Sequence, residues 1–263
     1  MDLGLEGKVA LVAASSGGLG YATALQLAKE GAKVMLTSRS EERLASAAAN
    51  ITTETGNSNV SFQAADLSRK EDIEELYQVL DSRFGQSDIL ITNAGGPPPG
   101  NFESVKEADW ELGFQLSLMS VVRLVQGALP HMKEQKFGRV VHFTSSSIKQ
   151  PIDNLILSNT FRAGIAGLSK SLALELAPYN ILVNTLGPGR VATDRITFLD
   201  QAAADRQGID IAEVVRRSQA SIPVGRYGKP EEFAVMAAFL VSPLNGYVTG
   251  QAILVDGGLV RSL

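Results

Sequence analysis

Short apolar runs alternate along the chain with longer stretches in which apolar and polar residues recur at helical spacing. The apolar runs predict seven buried strands, at residues 8–13, 33–37, 60–64, 88–92, 139–144, 181–186 and 252–255. The mixed stretches predict helices at 18–30, 40–55, 69–83, 107–135, 155–177 and 230–241, and a polar, helical excursion at 194–221. Near-continuous apolar strands separated by helices are typical of a parallel sheet covered on both faces.

This order of elements predicts an α/β fold: a Rossmann-type, doubly wound, three-layer sandwich around a mainly seven-stranded parallel sheet. No linker of biased composition divides residues 1–263, so we expect a single domain. The stretch at about 193–225 is polar and rich in arginine, which indicates either a lid over a substrate or a solvated helical insertion.

Composition narrows the function classes. Apolar residues make up 44% of the chain and charged residues 20%, which is ordinary for a soluble globular protein. The net charge of -4 comes from interspersed charges without a basic stripe, so we expect no nucleic-acid partner. The absence of cysteine excludes disulfides and thiolate metal sites, and we predict no metal. Without an apolar leader or an apolar run near the roughly 20 residues of a membrane span, we expect no membrane association and a cytoplasmic protein.

A glycine-rich loop, AASSGGLG at residues 13–20, lies between the first predicted strand and the first helix. Its glycines would let a pyrophosphate approach the backbone, and the helix N-terminus would supply unpaired N–H donors. The alternative is an ordinary turn with glycines for packing. We predict contacts to a dinucleotide from Ser15, Ser16, Gly18, Leu19 and Gly20.

The end of the second strand indicates which dinucleotide binds. An acid about 20 residues beyond the loop usually holds the ribose of NAD, whereas arginine suits the 2′-phosphate of NADP. Here Ser38 and Arg39 lie at that place, and no acid occurs before Glu41. We therefore predict NADP(H) over NAD(H), the alternative being that Arg39 is a solvated residue before a helix.

The loop at 13–20 also resembles the TGxxxGxG loop of short-chain dehydrogenases/reductases, with Ala13 and Ala14 replacing Thr and the first Gly. The chain also contains, in the family's order, the adenine-contacting pair at 66–67, the NAG motif at 93–95 and the PGxxxT motif at 188–193. A C-terminal signature follows at 225–232 and 249–258. The chain is identified as an atypical member of this family, similar to 3-oxoacyl-acyl-carrier-protein reductases. The resemblance implies further cofactor contacts from Asp66, Leu67, Asn93, Ala94, Gly95, Pro188, Gly189, Val191 and Thr193.

The catalytic positions of the family have changed. The resemblance places Ser145 at the catalytic serine, but Ser158 replaces the tyrosine, Arg162 the lysine and Ser117 the asparagine. An aliphatic alcohol is a far weaker acid than a phenol of pKa about 10, and its side chain is shorter. Arg162 keeps the positive charge and a bond to the cofactor ribose, yet it stays protonated and cannot pass a proton along. His142, on a strand, is expected to point into the structure.

Two functions follow from the resemblance. The first is an atypical NADP(H)-dependent oxidoreductase for a small-molecule carbonyl or alcohol, in which Ser145 polarises the oxygen and Arg162 anchors the cofactor. The second is a catalytically silent dinucleotide-binding or scaffolding protein. The missing tyrosine and lysine favour the catalytically silent protein, whereas the PGxxxT segment and Ser145 favour the active oxidoreductase. The apolar faces of the two long helices also predict a homo-oligomer, a tetramer or a dimer.

Overall fold

A computed structural model describes residues 2–262 of the chain. Within them, seven strands form one parallel sheet in the order β3-β2-β1-β4-β5-β6-β7. The strands are β1 Val9–Ala13, β2 Lys33–Ser38, β3 Val60–Ala64, β4 Ile89–Thr92, β5 Gly138–Phe143, β6 Ile181–Pro188 and β7 Ala252–Val255. The predicted α/β fold is confirmed, and each predicted strand is present.

Helices cover both faces of the sheet. They are α1 Gly18–Lys29, α2 Glu41–Thr55, α3 Lys70–Phe84, α4 Glu107–Phe114, α5 Ser120–Glu134, α6 Ile156–Leu176, α7 Asp194–Gln207, α8 Ile211–Ser221 and α9 Pro230–Val241. The helix predicted at 107–135 contains a π-helical turn, Gln115–Met119, between α4 and α5. The polar excursion is two helices, because Gly208 adopts a left-handed φ of 64° and ends α7.

The core has two parts, one on each side of the sheet. Successive side chains of β1 alternate between them: Ala10 and Val12 pack with α1, α2 and α9, whereas Leu11 packs with α3, α5 and α6. Both parts are closely filled by aliphatic residues, and Phe233 of α9 is fully buried. The resulting three layers hold the carboxyl ends of the strands in fixed positions.

Those carboxyl ends define where a ligand binds. Chain order reverses between β1 and β4, since β1 is followed on one side by β2 and on the other by β4. In open α/β sheets the crevice at such a reversal is the usual ligand site. The glycine-rich loop after β1 and the segments after β4 and β5 all lie at this edge.

The continuous helical region Glu107–Glu134 meets a membrane-span criterion by length and composition, with a mean hydropathy of 1.3. In the most apolar part of this helical region, 39% of the window is buried inside the protein. Leu124, Ala128 and Met132 pack in the core beneath the sheet. A core helix of a soluble protein has these properties, so the region gives only weak support to a membrane span.

Candidate active site

A cleft of about 480 Å³ opens at the carboxyl ends of the strands. Its walls are the loops after β1, β2, β3, β4, β5 and β6 together with the first turns of α6 and α7. Most of the site residues predicted from the sequence line it: Ser16, Gly18, Leu19, Ser38, Arg39, Asp66, Leu67, Asn93, Ala94, Gly95, Ser145, Ser158, Arg162, Pro188, Gly189, Val191 and Thr193.

Two residues of the glycine-rich loop do not line the cleft, contrary to expectation. Ser15 is fully buried: its hydroxyl donates to the Val12 carbonyl at 2.8 Å and accepts from the Thr37 amide at 3.0 Å, which ties the loop to β2. Gly20 is needed for packing, because a Cβ there would lie 2.3 Å from the Ala14 carbonyl oxygen. Both residues shape the loop and do not face a ligand.

Ser117 also lies outside the lining of the cleft. It lies on the π-helical turn, is 3% exposed, and its hydroxyl has no hydrogen-bond partner within the described residues. The neighbouring Leu116 lines the cleft in its place. A π turn shifts the helical register by one residue, which sequence spacing alone does not reveal.

The glycine-rich loop at residues 13–20, called the phosphate loop below, has backbone that is accessible from the cleft and one strained residue. Gly17 and Gly18 line the cleft at the start of α1, and Gly18 has a left-handed φ of 58°. Ala14 is also left-handed, with φ of 49°, although its side chain disfavours that conformation. Ala14 lines the cleft too. Ala14, which replaces a glycine of the family pattern, therefore lines the cleft in a strained backbone conformation.

One end of the cleft carries positive charge and a free hydroxyl. The hydroxyl of Ser38 is buried without a hydrogen-bond partner among residues 2–262, next to Arg39. Arg43, in the first turn of α2, also lines the cleft and was missed by the sequence analysis. Burial raises the pKa of Asp66, but hydrogen bonds from Ser68 and the charge of Arg39 outweigh it, so this pKa lies below its usual value.

Ser145 directs a hydroxyl into the middle of the cleft. It precedes a short 3₁₀ turn, Ser146–Ile148, and its oxygen accepts a hydrogen bond from the Ser147 amide at 3.1 Å. The hydroxyl hydrogen therefore remains available for a ligand oxygen. Gly187 lets β6 pass close to the backbone of Ser145, since a Cβ at position 187 would lie 2.9 Å from the carbonyl oxygen of Ser145.

Ser158 and Arg162 form a hydrogen-bonded pair one turn apart on α6. The Nε of Arg162 donates to the Ser158 hydroxyl at 3.2 Å, and its Nη1 donates to the Phe143 carbonyl at 3.0 Å. Burial, and next the charge of Arg195, lower the pKa of Arg162 to about 10, so it stays charged at neutral pH. The Ser158 oxygen accepts from Arg162, which leaves its own hydrogen free to be donated.

No phenol replaces the missing tyrosine. Residues 2–262 include all five tyrosines, and none of them lines the cleft. His142 is fully buried with Nδ1 at 2.8 Å from the Thr92 hydroxyl, and burial lowers its pKa to about 4. It points into the structure, as expected. Over the same residues, no group of three or more acidic or histidine side chains is arranged to hold a metal ion.

Arg195 of α7 completes the cleft and was not singled out as a site residue from the sequence. Its Nη2 donates to the Pro97 carbonyl at 3.1 Å, and its guanidinium lies over Gly96, where a Cβ would be 2.6 Å away. Leu155, Ile196 and Leu199 line the cleft as its apolar part. Nothing in the local sequence distinguishes this arginine from others in the polar excursion.

Comparison with known proteins agrees with this geometry. The sequence model of the family described as enoyl-(acyl carrier protein) reductase matches residues 13–260. The chain is 34% identical to the 3-oxoacyl-(acyl-carrier-protein) reductase FabG of Aquifex aeolicus over 98% of this chain and 100% of that protein. It therefore belongs to the short-chain dehydrogenase/reductase family.

Solved structures are similar over the whole chain. L-sorbose reductase from Gluconobacter frateurii, in complex with NADPH and L-sorbose, superposes with a TM-score of 0.94 at 32% identity, covering all of both chains. An NADPH-bound short-chain oxidoreductase from Pseudomonas aeruginosa, described as containing an atypical catalytic center, has a TM-score of 0.88 at 29% identity over 97% of this chain and 98% of that one.

Proposed function

We propose that the protein is an atypical, soluble, cytoplasmic NADP(H)-dependent oxidoreductase that acts on a small-molecule carbonyl or alcohol. The single observation that carries this proposal is that Ser145, Ser158 and Arg162 line one cleft together with the phosphate loop. In this proposal the whole chain works as one dinucleotide-binding domain, and α7 and α8 act as a lid over the substrate.

The residues present fit NADP(H). The open backbone at Gly17 and Gly18 suits a pyrophosphate. The unpartnered Ser38 hydroxyl and the guanidinium groups of Arg39 and Arg43 suit a 2′-phosphate. The bound cofactor would supply or accept the hydride. NADPH is also the cofactor named for both similar structures described above.

The chain's own residues supply orientation and polarisation. Ser145 donates its hydroxyl hydrogen to the reacting oxygen, and Ser158 can donate a second hydrogen bond because Arg162 occupies its lone pair. Arg162 retains N–H groups beyond its two bonds and offers them to the cofactor ribose. Neither serine has the acidity of a phenol, so proton delivery is the weak step of this site.

A silent dinucleotide-binding protein is the second candidate. The observation that favours it is that none of the tyrosines within residues 2–262 lines the cleft, so no phenol stands beside Ser145. Such a protein would bind NADP(H) and leave carbonyl compounds unreduced.

Fluorescence titration with NADPH and NADH tests the proposal first. We expect NADPH to bind more tightly than NADH, and Arg39→Ala to weaken NADPH binding by about tenfold or more, since charge-assisted hydrogen bonds contribute about 1.5 to 3 kcal/mol. Arg83→Ala removes the same charge from an exposed site outside the cleft and serves as the control. Failure of both cofactors to bind would refute the proposal.

A spectrophotometric screen of carbonyl compounds then separates the two candidates. Oxidation of NADPH in the presence of a carbonyl compound supports the oxidoreductase. NADPH binding without turnover for any compound supports the silent protein.

A further inference from the structure

Two arginines line the cleft without forming an ion pair to any carboxylate of the described residues. Arg162 and Arg195 both line the cleft, and the charge of Arg195 contributes to lowering the pKa of Arg162 after burial. Across residues 2–262, neither has a carboxylate oxygen within 4.0 Å. Two like charges held in a partly buried cleft repel each other, and a bound anion would relieve that repulsion.

The acids that do line the cleft are already engaged elsewhere. Asp66 accepts hydrogen bonds from the Ser68 amide and hydroxyl, at 3.0 and 2.8 Å. Asp194 is fully exposed and lies 3.9 Å from Arg43. The positive charge of Arg162 is therefore uncompensated beside Ser158, where the reacting oxygen would lie.

Arg195 has donors to spare. It makes one hydrogen bond, to the Pro97 carbonyl, whereas a guanidinium carries five N–H groups. That bond fixes the head of the side chain over Gly96, at the loop after β4. Leu155, Ile196 and Leu199 also line the cleft and offer an apolar surface. A ligand with a short apolar chain and one negative group matches this combination.

We propose that the substrate is a carbonyl or alcohol compound that carries a carboxylate, and that Arg195 binds the carboxylate next to the charge of Arg162. This inference rests on the proposed function. The pyrophosphate of the cofactor is the other anion that a cleft guanidinium could bind. We favour the substrate because Arg195 is held at Gly96 and Pro97, whereas the open backbone of Gly17 and Gly18 already suits the pyrophosphate.

The test compares oxo acids with their methyl esters. Pyruvate, acetoacetate, levulinate and 5-oxohexanoate, each paired with its ester, are titrated by calorimetry into the protein with and without NADP⁺. We expect at least one acid to bind about tenfold or more tightly than its ester, as a charge-assisted hydrogen bond implies. Arg195→Gln should abolish this preference and Arg195→Lys should retain part of it. Arg206→Gln removes an exposed arginine of the same helix and should change nothing.

A second variant leaves Arg195 in place. Gly96→Ala puts a methyl group where the guanidinium lies, so we expect it to displace the side chain and weaken acid binding. Equal binding of acids and esters throughout would overturn the inference while leaving the proposed function intact, if NADPH still binds. A tenfold weaker binding of NADPH to Arg195→Gln, with acid preference unchanged, would assign Arg195 to the pyrophosphate and also overturn it. Absence of NADPH binding in the unaltered protein would refute the proposed function itself, and the inference with it.

Discussion

Two of the residues that depart from the family's catalytic pattern are neighbours in the structure. Ser158 and Arg162 lie one turn apart on α6 and bond to each other at 3.2 Å, so the two replacements form one unit. Arg162 preserves a positive charge in the cleft, whereas Ser158 removes an acidic group. We therefore propose that the site keeps its means of binding and orienting a ligand and lacks the family's usual source of a proton.

Ala14 provides a prediction at the same scale. It is left-handed, with φ of 49°, so Ala14→Gly should relieve strain and raise the free energy of unfolding by about 1 kcal/mol. Thermal unfolding should shift upward by about 2 to 4 °C. The same variant should bind NADPH at least as tightly, because Ala14 lines the cleft and glycine adds no side chain there.

Ala13→Gly is the matched control for that variant. Ala13 is fully buried in β1, where glycine brings no conformational gain, so this variant should be less stable than the unaltered protein. Equal destabilisation of both variants would show that the conformation of Ala14 carries no strain.

At the scale of elements, the sequence predicted what depends on periodicity and failed where geometry departs from it. The helix after Ser40 begins and ends as expected, since the Ser40 hydroxyl accepts from the Arg43 amide and Gly56 is left-handed. The sequence analysis did not predict the π turn Gln115–Met119, because this turn interrupts the regular helical period. The cleft role of Arg195 was equally invisible, because its partner Pro97 is distant in sequence.

Strand β5 gives a pH prediction through His142. Burial lowers its folded pKa to about 4 from an unfolded value of about 6.5, so the unfolded state binds more protons between these values. The contribution to stability is complete above pH 6.5 and is lost as pH falls towards 4, by roughly 3 kcal/mol in total. Urea unfolding between pH 5 and 6.5 should show this loss, which His142→Gln should flatten.

His131, the other histidine, supplies the control for the pH series. The variant His131→Gln should retain the slope. Arginine partners hold the carboxyl pKa values of Glu213 and Glu232 low. Protonation of these two groups therefore changes the stability only at pH values below the range of 5 to 6.5 used here. An unchanged slope in His142→Gln would show that this histidine is not the titrating group.

At the scale of the whole molecule, apolar surface remains after the sheet is covered. Leu174 on α6 is 72% exposed, and Val235 and Phe239 of α9 are 55% and 39% exposed. Exposed large apolar side chains of this kind are common at subunit interfaces. The chain alone therefore leaves part of its apolar surface unburied.

Light scattering tests the expected homo-oligomer. The mass should be two or four times the 27.9 kDa of one chain. Leu174→Lys should shift the protein towards smaller species, because it places a charge in an apolar contact. Phe102→Lys changes a residue that is 74% exposed in a loop and should leave the mass unchanged. A monomeric unaltered protein would contradict the prediction.

The most direct measurement concerns the pair on α6. In the variant Ser158→Tyr with Arg162→Lys, a phenol enters the cleft, and positioned general acid catalysis contributes about a hundredfold or more. We predict that NADPH oxidation with a panel of carbonyl compounds rises by about that factor, while NADPH binding is retained. Ser158→Phe with Arg162→Lys has the same bulk without the hydroxyl and should show no rise. If the tyrosine variant binds NADPH and its rate equals that of the phenylalanine variant, position 158 does not face the reacting oxygen and the account is wrong.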